Sequence, residues 1–133
     1  MIKSHINFNY GATLTRLTLG SVLLSHGLLK VFVFTIPGTV GFFERLGLPA
    51  IAAYLTIFGE IAGGTALILG LYSRLAAILS IPLLLGATWA HSGNGWVFSN
   101  EGGGWEYPAF WAITLVVQAL LGDGAYALKR SRT

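Results

Sequence analysis

Histidine and charged residues inside apolar segments are the features of this sequence that could support chemistry. The stretch "LGSVLLSHGLLKVF" contains His26 and Lys30, which lie one helical turn apart on nearly the same face. Glu60 lies inside a later apolar run, and His91 ends a third. A charge near the middle of a bilayer costs at least a few kcal/mol. Each of these groups therefore needs a partner or a functional role.

Arg16 is a further buried charge and lies on the same predicted helix as His26. At about 1.5 Å per residue, Arg16 and Glu60 come to similar depths on the first two helices. Either charge alone in an apolar interior would be unfavourable. We therefore expect a structural ion pair between Arg16 and Glu60.

A polar pocket can form at the end of the predicted bundle where His26 and His91 reach the same level. His26 and His91 could exchange protons there, with Glu60 beneath them as a proton relay. Other candidate ligand-binding residues are a cation, three tryptophans and a carboxylate: Lys30, Trp89, Trp96, Trp105 and Glu106. The plainer alternatives are an interfacial Lys30, an ordinary interfacial His91, and a His26 that only bonds another helix.

The composition places this chain in a membrane. Of its 133 residues, 54% are hydrophobic and 10% charged, and the mean hydropathy is +0.70. A hydrocarbon core of about 30 Å requires roughly 20 apolar residues per helix, so the chain can supply about four spans. The net charge of +3 comes largely from the C-terminal Lys129, Arg130 and Arg132, which indicates topology and not a nucleic-acid partner.

We expect an all-α fold: one domain, residues 1–133, forming a bundle of four transmembrane helices. The predicted spans cover about residues 11–34, 50–71, 75–90 and 107–121. The segment 35–49 is punctuated by Pro and Gly and predicts a short interfacial helix or re-entrant turn. Residues 91–108 form an aromatic, Gly-rich outer loop. The pair Gly59 and Gly63 predicts close approach of a neighbouring helix.

The distribution of basic residues predicts the orientation. Four spans place both termini and the turn at 72–74 on one side, together with most of the Lys and Arg residues. The positive-inside rule makes that side cytoplasmic.

Two histidines on different helices could in principle ligate haem or a metal. The chain has no cysteine, and its histidines lack a paired spacing such as HxxxH. We therefore expect no metal, haem or iron–sulfur cluster.

Several short blocks occur in an order that resembles the DoxX-like family of four-helix membrane proteins, over about residues 12–128. These blocks are "LTRLTLGSVLLSHGLLKVF", "GTVGFFERLGLP", "FGEIAGGTALILGLYSRLAA", an Ala-His pair before "GWVFSNEGGGWEYP", and "GDGAYAL". The positions shared with such proteins are Arg16, His26, Gly27, Lys30, Glu60, Arg74, Gly104 and Glu106. The resemblance implies a bacterial-type inner-membrane protein associated with quinone-linked respiratory or oxidative-stress chemistry.

The resulting hypothesis is a membrane subunit that binds ubiquinone or menaquinone. It would pass electrons between an external donor or partner and the quinone pool, because the chain shows no electron carrier of its own. Membrane lipid and a larger redox complex or a homo-oligomer are the expected partners. The alternatives are a non-enzymatic accessory subunit of a larger complex and a carrier of small phenolic molecules.

Overall fold

The computed structural model describes the backbone of residues 2–131 and the side chains of residues 7–131. Five α-helices follow one another along the chain, with a 3₁₀ turn at Ser92–Asn94 after the fourth. They are α1 (Ile2–Phe32), α2 (Ile36–Arg45), α3 (Ala50–Leu69), α4 (Ser73–His91) and α5 (Glu106–Leu121). An isolated bridge, Leu71 with Lys129, is the extent of β-structure in the described part of the chain. The all-α prediction is confirmed.

Each of the four predicted spans overlaps one of the four long helices. The prediction that all four cross the membrane is supported only in part. By length and apolarity, α3 and the segment Ser73–Asn94 are each able to cross a membrane. The first helix and α2 meet that criterion only together, as a pair bent by 100°. With 16 residues, α5 is apolar but short. The described residues thus contain two candidate spans, or three if the bent pair is one.

The bend between α1 and α2 is produced by a short turn. Thr35 has a positive φ of 67°, and its side chain accepts a hydrogen bond from the Gly38 N–H, which caps α2. Pro37 lies in the first turn of α2, where a missing N–H costs nothing. The predicted segment 35–49 therefore contains a true helix, and α2 folds over one end of the bundle.

The first and third helices pack along a seam of glycines. A Cβ on Gly64 would lie 2.5 Å from the Leu24 N atom, and one on Gly20 would lie 2.8 Å from the Gly64 O atom. These short distances are to backbone atoms, so a side chain at either position would force the helices apart. The seam also fixes their antiparallel register, with Gly20 opposite Gly64 and Gly27 opposite Glu60.

The predicted glycine pair faces a different helix. A Cβ on Gly59 would lie 2.8 Å from Leu83 Cδ1, and one on Gly63 would lie 2.8 Å from Ser80 Oγ. Both neighbours belong to α4. Gly59 and Gly63 therefore bring α4 close to α3, while Gly64, adjacent in sequence, makes the tighter approach to α1.

A core of leucine and alanine side chains with one tryptophan joins the four long helices. It comprises Leu19, Leu23, Leu67, Ala77, Leu84, Trp111, Ala112 and Leu115. Large apolar side chains also cover the outside: Phe58 and Phe110 are each 70% exposed. An apolar exterior of this kind is suited to lipid and not to water.

Candidate functional site

A cavity of about 820 Å³ occupies the half of the bundle beneath α2. All four long helices contribute to its walls, and α2 supplies Gly38, Thr39, Phe42 and Phe43 as a cover. On α3 the lining residues are Ala52, Thr56 and Glu60, one turn apart, which is the spacing of one helix face. We call this half of the molecule the cavity end.

An ion pair lies in the wall of the cavity. Lys30 Nζ is 2.8 Å from Glu60 Oε1 and donates to Oε2 at 3.1 Å. Glu60 is only 5% exposed, and the lysine side chain reaches it from near the end of α1. Lys30 is therefore not a freely solvated interfacial residue. The pair places a cation and an anion side by side in largely apolar surroundings.

The expected ion pair between Arg16 and Glu60 is wrong. Arg16 is 1% exposed and donates from Nη1 to the Leu67 and Ile68 carbonyls at 2.9 and 3.1 Å. The glycine seam explains the difference, because its register sets Arg16 level with the end of α3. Glu60 lies eight residues before Ile68, about 12 Å along the helix. Lys30 is the cation within its reach.

His26 lies beside this pair, with one ring nitrogen already used. Its Nδ1 lies 2.8 Å from the Val22 carbonyl oxygen, which can only accept, so Nδ1 carries the proton. In the neutral ring the lone pair is then on Nε2. The imidazole packs edge-on against Trp111, with centroids 4.9 Å apart, and stacks on Tyr107 at 6.5 Å. His26 thus keeps one proton-accepting atom in a fixed ring orientation.

The remaining candidates divide into two groups. His91 and Trp89, at the end of α4, line the cavity. Trp96, Trp105 and Glu106 are not among its lining residues, and the expectation that they contact the ligand is not supported.

The loop that carries these three residues has its own hydrogen bonds. The Trp105 N–H donates to the Gly95 carbonyl, and the Glu106 N–H donates to the Trp96 carbonyl. Glu106 Oε1 accepts from the Phe98 N–H at 3.1 Å. These bonds hold the two indoles on the exposed side of the loop and use the carboxylate to fix the loop's shape.

Sequence reasoning missed several cavity residues. Tyr107 and Trp111 stand one turn apart on α5, with ring centroids 5.8 Å apart. That i, i+4 aromatic spacing was a usable signal. Thr39 is buried, and its hydroxyl reaches the Lys30 carbonyl at 3.1 Å, which ties α2 to α1. Arg45 also lines the cavity.

The opposite end of the bundle is closed by residues 122–131. Arg16 Nη2 donates to the Ala125 carbonyl at 3.0 Å, and Thr13 Oγ1 donates to the same oxygen at 2.8 Å. The Leu128 N–H donates to the Leu69 carbonyl, which joins the segment to α3. We call this half of the molecule the clasped end.

Asp123 forms hydrogen bonds within the segment 122–131. Its carboxylate accepts from both the N–H and the hydroxyl of Ser131, each at 2.8 Å. Burial opposes ionisation of Asp123. The bonds from Ser131, with Ser73 and Arg130 close by, outweigh this effect and lower the pKa of the carboxyl below its ordinary value.

Within the described residues, no group of three or more His, Cys, Asp or Glu side chains could hold a metal ion. The cavity, with its ion pair, two histidines and aromatic walls, is the candidate site.

Comparison with known proteins identifies relatives. A family model described as DoxX matches residues 11–93. "Putative oxidoreductase CatD" of Bacillus subtilis (strain 168) is 35% identical over 81 residues, which are 61% of this chain and 59% of the relative. "Uncharacterized membrane protein Rv3486" of Mycobacterium tuberculosis (strain ATCC 25618 / H37Rv) is 42% identical over 72 residues, 53% of this chain and 42% of the relative. The chain thus spans about half the length of these relatives. No solved structure matches.

Proposed function

The chain belongs to the DoxX family of membrane proteins, and we propose that it is a quinone- or quinol-binding membrane subunit of a redox system. In this proposal it passes electrons between an external donor or partner protein and ubiquinone or menaquinone in the membrane. The printed name of the Bacillus subtilis relative, "Putative oxidoreductase CatD", agrees with redox chemistry. Family membership alone supports the fold more strongly than the reaction, so the proposal rests on the site.

The cavity carries the proposal. Its volume of about 820 Å³ lies in the range of roughly 300–1,000 Å³ that is typical of small-molecule sites. Its walls are mostly apolar and aromatic, with a few polar groups at fixed positions: His26, Lys30 and Glu60 on one side and His91 on the other. A flat ring with oxygens at its edges matches this combination, because the ring can pack on aromatic side chains while the oxygens meet the polar groups.

The chain's own residues supply binding and proton transfer. His26 accepts a proton on Nε2, since Nδ1 is held by Val22. Lys30 stabilises negative charge that develops on a ligand oxygen, and Glu60 balances the lysine charge while the cavity is empty. Tyr107 and Trp111 provide the aromatic wall behind His26.

The reaction balances only with an electron donor outside this chain. A quinone that gains two electrons and two protons becomes a quinol, with an O–H bond formed at each oxygen. The sequence has no cysteine for a thiol couple or an iron–sulfur cluster. The electrons therefore come from a protein partner or a soluble thiol or sulfur compound, and the protons pass through the histidines and Glu60.

The membrane arrangement is part of the proposal. The four long helices cross a bacterial-type inner membrane, and the clasped end, with Arg74, Lys129 and Arg130, faces the cytoplasm together with both termini. The 100° bend lets α2 lie at the outer interface above the cavity. A quinone then reaches the site from the outer half of the bilayer.

The test is mass spectrometry of the organic extract from gently purified protein. Wild type is compared with His26→Ala and Glu60→Gln. Ser25→Ala is the matched control, because Ser25 adjoins His26 but is exposed and bonds only the Ser21 carbonyl of its own helix. Thermal unfolding in detergent checks that each variant is folded.

A stoichiometric quinone in wild type and in Ser25→Ala, and its loss from the two folded cavity variants, is the expected result. Only bulk lipid in all four samples would overturn the proposal and favour an accessory subunit that packs against a larger complex. A phenolic compound in place of a quinone would favour the carrier alternative.

A further inference from the structure

His91 lies at the boundary between two cavities. Besides the large cavity, it lines a cleft of about 240 Å³, whose walls are His91, Phe98, Gly103, Gly104, Tyr107 and Pro108. His91, Tyr107 and Pro108 belong to both sets of lining residues and therefore form the partition between them. We call the smaller space the loop cleft, because the segment after α4 covers it.

The covering loop leaves room for the imidazole. Gly103 has a positive φ of 83°, and a Cβ placed on it would lie 3.9 Å from His91 Nδ1. At Gly104 an added Cβ would overlap the Val97 backbone. Gly104 thus lets two segments of the loop's main chain pass close together, and the positive φ of Gly103 turns the loop beside the His91 ring, which lines the cleft.

The two histidines of the cavity are placed differently. His26 lines only the large cavity and is held by the Val22 carbonyl and by the rings of Tyr107 and Trp111. His91 is the last residue of α4, where the chain leaves the bundle for the exposed loop. Of the two, His91 is the one positioned to meet both a bound ligand and water.

Given the quinone site proposed above, on which this inference rests, we propose that His91 conducts protons between the large cavity and the water of the loop cleft. When a bound quinone receives two electrons from the donor, each of its oxygens forms an O–H bond. The protonated imidazole gives one proton to the bound quinone, regains a proton from cleft water, and gives up the second, so that both O–H protons come from that water. During quinol oxidation the protons travel the other way.

Other titratable and charged groups line the large cavity together with His91. They come from α1, α2, α3 and α5 and are His26, Lys30, Arg45, Glu60 and Tyr107. Lys30 and Glu60 are bound to each other, and Tyr107 shares the partition. An imidazole can accept a proton on one ring nitrogen and release one from the other, which suits His91 to pass protons among these neighbours.

The absence of native cysteines allows the position of His91 to be tested directly. His91→Cys, Ser92→Cys and Leu115→Cys are each treated with a small charged methanethiosulfonate reagent, with and without decylubiquinone. Ser92 is exposed, whereas Leu115 is fully buried and lines neither cavity, so they provide the positive and negative controls.

We expect His91→Cys to react, and its modification rate to fall at least about fivefold when decylubiquinone occupies the cavity. Ser92→Cys should react at the same rate in both conditions. A cysteine at 91 that is unreactive, or whose rate ignores decylubiquinone when that quinone is shown to bind, would overturn the proposal.

Proton conduction itself is tested by protein-film electrochemistry of the quinone-loaded chain. His91→Gln should retain the quinone but reduce it about 100-fold more slowly, the usual contribution of a positioned acid–base group. External imidazole should restore the rate of His91→Ala, and Ser92→Ala should match wild type. A wild-type rate in His91→Gln, or a loss that imidazole cannot rescue, would disprove the relay.

The two proposals fail in different ways. Wild-type protein that binds no quinone would refute the proposed function itself. Wild type that binds and reduces quinone, with His91→Gln indistinguishable from it, would refute the relay and leave the quinone site intact.

Discussion

The two ends of this bundle both bury charge, but they satisfy it by different means. At the clasped end, Arg16 donates to three main-chain carbonyls, those of Leu67, Ile68 and Ala125. At the cavity end, the ion pair and the side-chain hydrogen bond of Glu60 are both made with Lys30.

The nature of the partner decides how each end can respond. Carbonyls at the end of a helix are fixed by the backbone, and a cation beside them is also favoured by the helix dipole. Separating Arg16 from them requires the helix end or the closing segment to move. Lys30 and Glu60 can separate by side-chain rotation alone. The clasped end is therefore suited to holding the helices together, and the cavity end to exchanging one partner for another.

Arg16→Met should produce the largest loss of stability. The substitution keeps the apolar stem and leaves the Leu67 and Ile68 carbonyls without their donor, at a cost of about 3 kcal/mol or more, because bonds from charged donors are worth roughly 1.5–3 kcal/mol each. The loss of stability is measured by thermal unfolding in detergent and by the rate of protease cleavage of the segment 122–131. Arg16→Lys should recover only part, since one ammonium cannot span both sites. Equal stability of Arg16→Met and wild type would remove the contrast between the two ends.

Breaking the ion pair should cost about 2–3 kcal/mol, somewhat less than for a fully buried pair because the lysine side chain is 20% exposed. Lys30→Met leaves Glu60 as a lone buried charge, and Glu60→Leu leaves the lysine alone. The double variant should be more stable than either single one, since no charge remains unpaired. A double-mutant cycle by chemical or thermal unfolding checks this. Strictly additive effects would show that the two charges do not interact.

A glycine series should separate the packed seam from the cavity wall. Gly64→Ala should destabilise by about 1–3 kcal/mol, because its Cβ meets the backbone of Leu24. Gly86→Ala is the matched control: Gly86 lines the cavity, and an added Cβ meets nothing within 4 Å. There the higher helix propensity of alanine should leave stability unchanged or raise it by up to about 1 kcal/mol. Comparable losses at the two positions would contradict the close approach of α1 and α3.

Lowering the pH should have the smallest effect: it should reduce the free energy that holds the clasped end closed by about 1 kcal/mol. Because folding lowers the pKa of Asp123, its ionised form stabilises the fold above the ordinary pKa of 3.8, and this contribution disappears as pH falls through the lower folded value. Protease cleavage of the segment 122–131 should therefore accelerate below about pH 4. Asp123→Asn should cleave faster at neutral pH and lose this acid-dependent step. An unchanged step in Asp123→Asn would assign it to other carboxylates.

Apolar periodicity and the positions of Gly and Pro were enough to predict the helices. The predicted segments overlap the four long helices, because hydropathy acts over many residues and tolerates small errors, but α1 begins at Ile2 and not near residue 11, and only two or three candidate spans are supported. The family resemblance was confirmed by the match over residues 11–93. Five of the candidate site residues line one cavity, because each lies near the same helix ends, and their roles there stay predictions: His26, Lys30, Glu60, Trp89 and His91.

The pairing of charges could not be predicted from depth alone. If α1 were shifted by about two turns along α3, Arg16 and not Lys30 would lie beside Glu60. The register of the two helices depends on which glycines pack together. Nothing in the sequence distinguishes Gly59, Gly63 and Gly64 on α3, yet of these three only Gly64 packs against α1. Backbone carbonyls as partners of Arg16 leave no mark in the sequence, because every residue has one.

The hydrogen bonds of the clasped end also constrain the order in which parts of the protein can fold during synthesis. Its bonds connect Thr13 and Arg16, near the beginning of the chain, to Ala125, more than a hundred residues later. During synthesis α1 and α3 can pair through their glycines while α5 is still within the ribosome, but Arg16 then lacks one of its three acceptors. The guanidinium is fully sequestered only after the last helix has joined the bundle. Docking of the segment 122–131 and full sequestration of the Arg16 guanidinium are thereby a single event in biogenesis.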